Sequence, residues 1–179
     1  MEHIVINYKE YIRTVPNYPV EGINFYDMNS LFASSVWPRA VRKLVDLVHE
    51  EYIADITHIV GIESRGFVVG AAMAQEMDLP LVMVRKDGAK YPGKLLKETY
   101  ELEYGSDTLT LQEGILGHTS RVLLVDDLVA TGGSMMATQR LVEQTGARVL
   151  GGATVVNLKY LNPISMEKFP LATLYEAQV

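Results

Sequence analysis

Apolar residues follow two rhythms along this chain. Short unbroken runs recur in Thr57–Ile62, Leu81–Val84 and Val122–Val125, and again within Arg148–Leu158. Runs of that length read as strands buried on both faces, as in parallel sheets. Between them the spacing becomes helical. Ser34–Tyr52 puts Val41, Leu44, Val45 and Val48 on one face, with Ser34 or Ser35 as cap and Pro38 in the first turn. Gly66–Met77 is a helix of small residues suited to close packing on a sheet, and Ser134–Gln144 is another, closed by Gly146. Tyr8–Val15 reads as a short helix that Pro16–Gly22 breaks. Asp87–Glu98 is long, polar and glycine-containing, and reads as a mobile loop. Thr108–Gln112 alternates like a hairpin arm, and Ala172–Tyr175 closes the pattern as an edge strand. Strands alternating with helices predict an α/β fold with a doubly wound parallel sheet, its ligands at the carboxyl ends of the strands.

Three predicted strand ends carry chemistry. The run Val122–Val125 leads into Asp126 and Asp127, then Ala130, Thr131, Gly132, Gly133 and Ser134, then a helix. Free N–H groups and the positive end of a helix attract a phosphate, and glycines let the backbone approach it. Thr131 and Ser134 add hydroxyl donors, and the two aspartates can accept from a ribose diol. Glu63, Ser64 and Arg65 follow the second strand and open a helix; they form either an anion-holding turn or a tight junction with a surface arginine. Arg85 and Lys86 end the third. With Lys90, Lys94 and Lys97 they gather five of the chain's 16 basic residues, although the last three read as a solvated loop. Gly88–Lys94 fits a Walker A spacing, but Leu95 stands where that motif needs a magnesium-binding hydroxyl.

Composition narrows the picture. The chain of 179 residues is 48% hydrophobic, enough for one self-supporting domain, residues 1–179. It has no cysteine, which excludes disulfides and thiolate metal sites and fits a reducing cytoplasm. A net charge of −6 argues against nucleic acid as partner, and no run has the length of a membrane span or the apolar core of a signal peptide. His3, His49, His58 and His118 lack ligand spacing, so no protein metal site is expected, and Trp37 reads as a packing residue.

The apolar run, Asp-Asp, Ala-Thr-Gly-Gly and Ser resemble, in order, the phosphoribosyl pyrophosphate (PRPP) signature of type I phosphoribosyltransferases. Thr99–Gly105 is similar to the Tyr-x-Leu-Glu-Tyr-Gly segment of adenine phosphoribosyltransferases, and residues 12–30 resemble their base-binding hood. The resemblance implies a single domain, with 12–30 as hood and 87–104 as flexible catalytic loop. It implies transfer of phosphoribose from PRPP to adenine, giving AMP and pyrophosphate in purine salvage. Mg2+ would be bound mainly through PRPP, and the protein would be a cytoplasmic homodimer. Asp126, Asp127 and Ala130–Ser134 would hold ribose and 5′-phosphate; Glu63, Ser64, Arg65, Arg85 and Lys86 the pyrophosphate; Asn24, Phe25, Tyr26 and Tyr104 the base. Glu103 would exchange a proton with the base, and Arg65 would act beside it on the leaving charge. Phe25 would stack on the purine, with a core anchor as the competing role. The hood departs from the family pattern at Tyr26, where Arg or Lys is usual, and at Asn29, where Thr is usual. That leaves a 6-oxopurine as alternative base, and a non-catalytic PRPP-sensing regulator as alternative class.

Overall fold

The computed structural model describes residues 6–51, 55–101 and 105–177. After a 3-10 turn at Tyr8–Tyr11, strands β1 (Arg13–Pro16) and β2 (Asn24–Asp27) form a separate antiparallel hairpin. The helix expected over Tyr8–Val15 is therefore one turn only. Arg13 to Pro16 pair instead with Asp27 to Asn24, and cross-strand pairing outweighs a helix too short to sustain itself. Helices α1 (Met28–Phe32) and α2 (Trp37–Glu51) follow, with the Asp27 carboxylate capping α1 at the Asn29 N–H. Trp37 packs edge-on against Phe32, with ring centroids 4.9 Å apart.

The main body alternates β3 (His58–Ile62), α3 (Gly66–Glu76) and β4 (Leu81–Lys86). Then come β5 (Leu95–Glu101), β6 (Ser106–Gln112), β7 (Arg121–Val129), α4 (Gly133–Glu143) and β8 (Arg148–Asn157). A 3-10 turn at Lys159–Leu161, α5 (Ile164–Glu167) and β9 (Leu171–Glu176) complete the described elements. The seven strands lie in the order β5-β6-β4-β3-β7-β8-β9. From β4 to β9 neighbours run parallel, whereas β6 joins β4, and β5 joins β6, antiparallel.

Helices cover both faces. Ile59, Leu123 and Val125 pack with Val69 and Met73 of α3 and with Val41, Leu44, Val45 and Val48 of α2. Val60, Ile62, Val122 and Leu124 point the other way, to Met135, Leu141 and Val142 of α4. Side chains alternate across a strand, so a continuous apolar run supplies both cores at once.

Two expectations change. Residues 95–101, read as part of the flexible loop, form β5, with Leu95 to Glu101 paired to Gln112 to Ser106. Its alternation is hard to read from the sequence because the half-buried face carries Glu98 and Tyr100 while Lys97, Thr99 and Glu101 face out; the Thr99 and Thr108 hydroxyls, 2.8 Å apart, show how polar cross-strand pairs hold it. Strand β7 also runs past the apolar stretch to Val129, so Asp126 and Asp127 lie within a strand and not at its end.

Candidate active site

Strands β4, β3 and β7 are neighbours, so their carboxyl ends bring the three polar clusters together. Glu63 organises the first contact. Its Oε2 accepts the Lys86 backbone N–H at 2.7 Å and faces Arg85 Nε at 3.5 Å. The Glu63–Ser64 peptide is cis. Arg65 occupies the cap position of α3, and its Nε lies 2.9 Å from Asp127 Oδ2. The angle falls outside that of a hydrogen bond, so the contact is an ion pair whose oxygen can still accept a hydroxyl.

Asp126 and Asp127 are 8% and 5% exposed, the cost of standing inside β7. The Asp127 N–H donates to Asp126 Oδ1 at 2.9 Å. Burial pushes the Asp126 carboxyl well above its usual range, and the neighbouring Asp127 charge pushes it further. Burial raises Asp127 as well, against the opposing pull of Arg65.

The turn from β7 to α4 has the geometry of an anion cradle. Gly132 takes φ +77°, the left-handed region that glycine adopts without strain, and no side chain caps the helix there. Met136 N–H donates to Gly132 O at 2.9 Å, so the N–H groups before it are those a helix start leaves for a ligand. The Tyr100 ring of β5 covers Gly133, its Cδ2 3.2 Å from where a Cβ would stand. Glu98 of the same strand accepts from Arg140 Nε of α4 at 2.6 Å and from Gln144 Nε2, at the helix's C-cap, at 3.1 Å.

A cavity of about 340 Å3 joins the hood to this turn. Asn24, Phe25 and Tyr26 line one side; Arg65, Ala130 and Thr131 line the other. Leu158 and Leu161 add apolar wall. Phe25 lies half-buried outside the core, with the Arg65 guanidinium 5.4 Å from its ring centroid and Tyr18 edge-on at 5.2 Å. That geometry suits a stacking surface better than a core anchor. Asn29 is exposed on α1 and is not part of the cavity wall.

The expected pyrophosphate group divides. Arg85 stays beside Glu63, its guanidinium 5.5 Å from the Tyr91 ring centroid. The Lys86 ammonium instead binds Asp107 Oδ2 at 2.7 Å, and this hydrogen bond raises its pKa above the ordinary value. Lys97 of β5 pairs with Asp87 in the turn that follows β4. Glu103 and Tyr104 lie outside the described residues. Sequence reasoning missed Tyr100, Glu98, Leu158, Leu161, Asn162 and Met166. Tyr100 opens the Tyr-x-Leu-Glu-Tyr-Gly segment, which was the one signal that could have found it; the other five stand in no motif, and all six reach the site from other elements.

Residues 30–174 match the Phosphoribosyl transferase domain family, and the chain belongs to it. Within that family its relatives are adenine phosphoribosyltransferases. The enzyme of Rhodospirillum rubrum is 40% identical over 170 residues, covering 94% of this chain and 97% of the relative. Among solved structures, the adenine phosphoribosyltransferase of Thermoanaerobacter pseudethanolicus superposes with a TM-score of 0.87 at 32% identity, over 94% of this chain and 97% of that one. The Saccharomyces cerevisiae enzyme, complexed with an imino-altritol bisphosphate and adenine, gives 0.82 at 38% identity, over 93% and 96%.

Proposed function

We propose that this enzyme transfers phosphoribose from PRPP to adenine, giving AMP and pyrophosphate. The observation that carries the reading is the cavity shared by hood and phosphate turn: a flat aromatic ring and Arg65 on its walls, opening onto Ala130 and Thr131. Among the described residues Arg65 is the one charged side chain on that wall, which suits a neutral base read by backbone groups at Asn24–Tyr26.

The C1′–oxygen bond of PRPP breaks with its electron pair leaving on pyrophosphate, while the N9–C1′ bond forms from the opposite face. Arg65 and Arg85 receive the departing charge, with Glu63 and Ser64 shaping the turn. Asp126 and Asp127 orient the ribose hydroxyls, and their negative charge favours the cationic sugar. Ala130–Ser134 hold the 5′-phosphate. Adenine loses one proton overall, and Glu103 is proposed to take it from the base, with Tyr104 beside it. Glu103→Gln would then lower kcat by roughly 10²–10⁴-fold, whereas Glu101→Gln would do much less. Mg2+ is proposed to enter with PRPP and to be held mainly through it. When bound, Mg2+ neutralises leaving-group charge.

Of the two departures from the family pattern, Tyr26 lines the cavity and Asn29 does not, so Tyr26 is the one proposed to bear on base choice. Competition assays with PRPP, Mg2+ and equal adenine, guanine and hypoxanthine test this. Adenine is expected to give the largest kcat/KM. A larger value for a 6-oxopurine overturns the base assignment and leaves the transferase class standing. Among the described residues no helix is long and apolar enough to cross a membrane. A cytoplasmic homodimer completes the proposal, checked by cell fractionation and light scattering.

A further inference from the structure

The turn that would hold the 5′-phosphate does not hold itself. An anion cradle needs its N–H groups turned to the ligand, and therefore its carbonyls tied down elsewhere. Here the ties come from one later segment, residues 158–166. Leu158 N–H donates to Val129 O at 2.8 Å, at the root of the turn. The Asn162 side-chain amide donates to Ala130 O. The buried Met166 side chain lies under Gly132, with Cγ and Sδ each 2.6 Å from where a Cβ would stand. Val129, Ala130 and Gly132 are thus fixed by three groups spread over nine residues. The segment is itself braced, since Asn162 N–H donates to Lys159 O at 3.1 Å and Met166 N–H to Pro163 O at 2.9 Å.

We propose that Asn162 is a positioning residue for the 5′-phosphate: by binding Ala130 O it holds the Ala130–Ser134 backbone in its anion-binding orientation. The inference rests on the assignment of that turn to the phosphate. Asn162 itself touches no substrate. A carbonyl can only accept, so the amide must present its NH2, and a carboxylate of the same shape cannot replace it. Leu158 and Leu161 line the base cavity, so the same segment bears on both ends of the nucleotide.

The test compares binding of AMP with that of adenosine, which lacks the phosphate, in Asn162→Ala, Asn162→Asp and Thr131→Ala. The ratio of AMP to adenosine affinity is the readout, because general loosening of the fold weakens both ligands together. Asn162→Ala is expected to lower the ratio roughly three- to tenfold, the scale of one hydrogen bond, and Asn162→Asp to lower it further. KM for PRPP should rise while KM for adenine stays near its original value. If Thr131→Ala lowers the ratio and both Asn162 variants leave it unchanged, the positioning role is overturned and the turn assignment survives. If all three leave it unchanged, the turn assignment falls and the inference with it. If either Asn162 variant fails to fold, the other decides by the same ratio.

Discussion

The two strand–turn–helix junctions at the site solve one problem by different means. The β3–α3 turn is wired by charge. Glu63 reaches Lys86 N–H and Arg85, and Arg65 reaches Asp127. The β7–α4 turn is held by backbone and packing: Asn162 on Ala130 O, Met166 under Gly132, Tyr100 over Gly133. A turn wired by charge responds to ionic strength and to the loss of a partner. A turn held by packing responds to volume. The difference fits the two proposed ligands, since pyrophosphate departs with new charge and the 5′-phosphate stays in place throughout.

The largest expected effect tests the packed turn. Gly133→Val brings side-chain atoms against the Tyr100 ring. Overpacking of this kind costs roughly 1–3 kcal/mol of stability, and a side chain in the turn should block close approach of the phosphate and abolish AMP and PRPP binding while the fold survives. Calorimetry would check this, with circular dichroism confirming the fold; normal affinity in a folded variant removes the turn from the site.

A smaller effect breaks the charged turn. Arg85→Ala should weaken PRPP and pyrophosphate about tenfold, in line with loss of a charge-assisted contact, and AMP much less. Added salt should reproduce that order in the unaltered enzyme. Equal losses for all three ligands would make Arg85 a structural residue.

Asp126 sharpens the comparison through pH. Its folded-state pKa is raised by burial, so the unfolded chain releases this proton at lower pH than the folded one. Stability of the free enzyme should therefore fall as pH rises from the ordinary carboxylate range toward the raised value, then level off. Asn at 126 keeps the oxygen that accepts the Asp127 N–H and removes the charge. Asp126→Asn should raise Tm at pH values above the raised pKa, flatten that slope and lose activity. A lowered Tm with full activity would contradict both halves.

The smallest effect concerns the hairpin over the packed turn. Glu98→Gln breaks the pair with Arg140, whose side chain is half exposed. Stability should change by less than about 1 kcal/mol, which thermal melts would show. A loss of several times that size would mean the hairpin is part of the core and not a cover.

Much of this was legible in advance. Helix α2 buries the very face its periodicity marked, with Val41, Leu44, Val45 and Val48 all inside. The glycine turn before α4 stands where its residues placed it. The hairpin was less legible: β5 pairs Lys97 and Glu98 with Thr110 and Leu109, and a strand so rich in charge shows no apolar rhythm.

By itself, then, the sequence determined the strands and helices of the parallel body, from β3 to β4 and from β7 to β8, because those depend on residues a few positions apart. Tertiary structure decided the rest. It buried Asp126 and Asp127 inside β7 and raised their pKa, gave the Lys86 ammonium to Asp107, and set Asn162 on a carbonyl 32 residues earlier. Such contacts depend on which elements become neighbours, and local spacing holds no record of that.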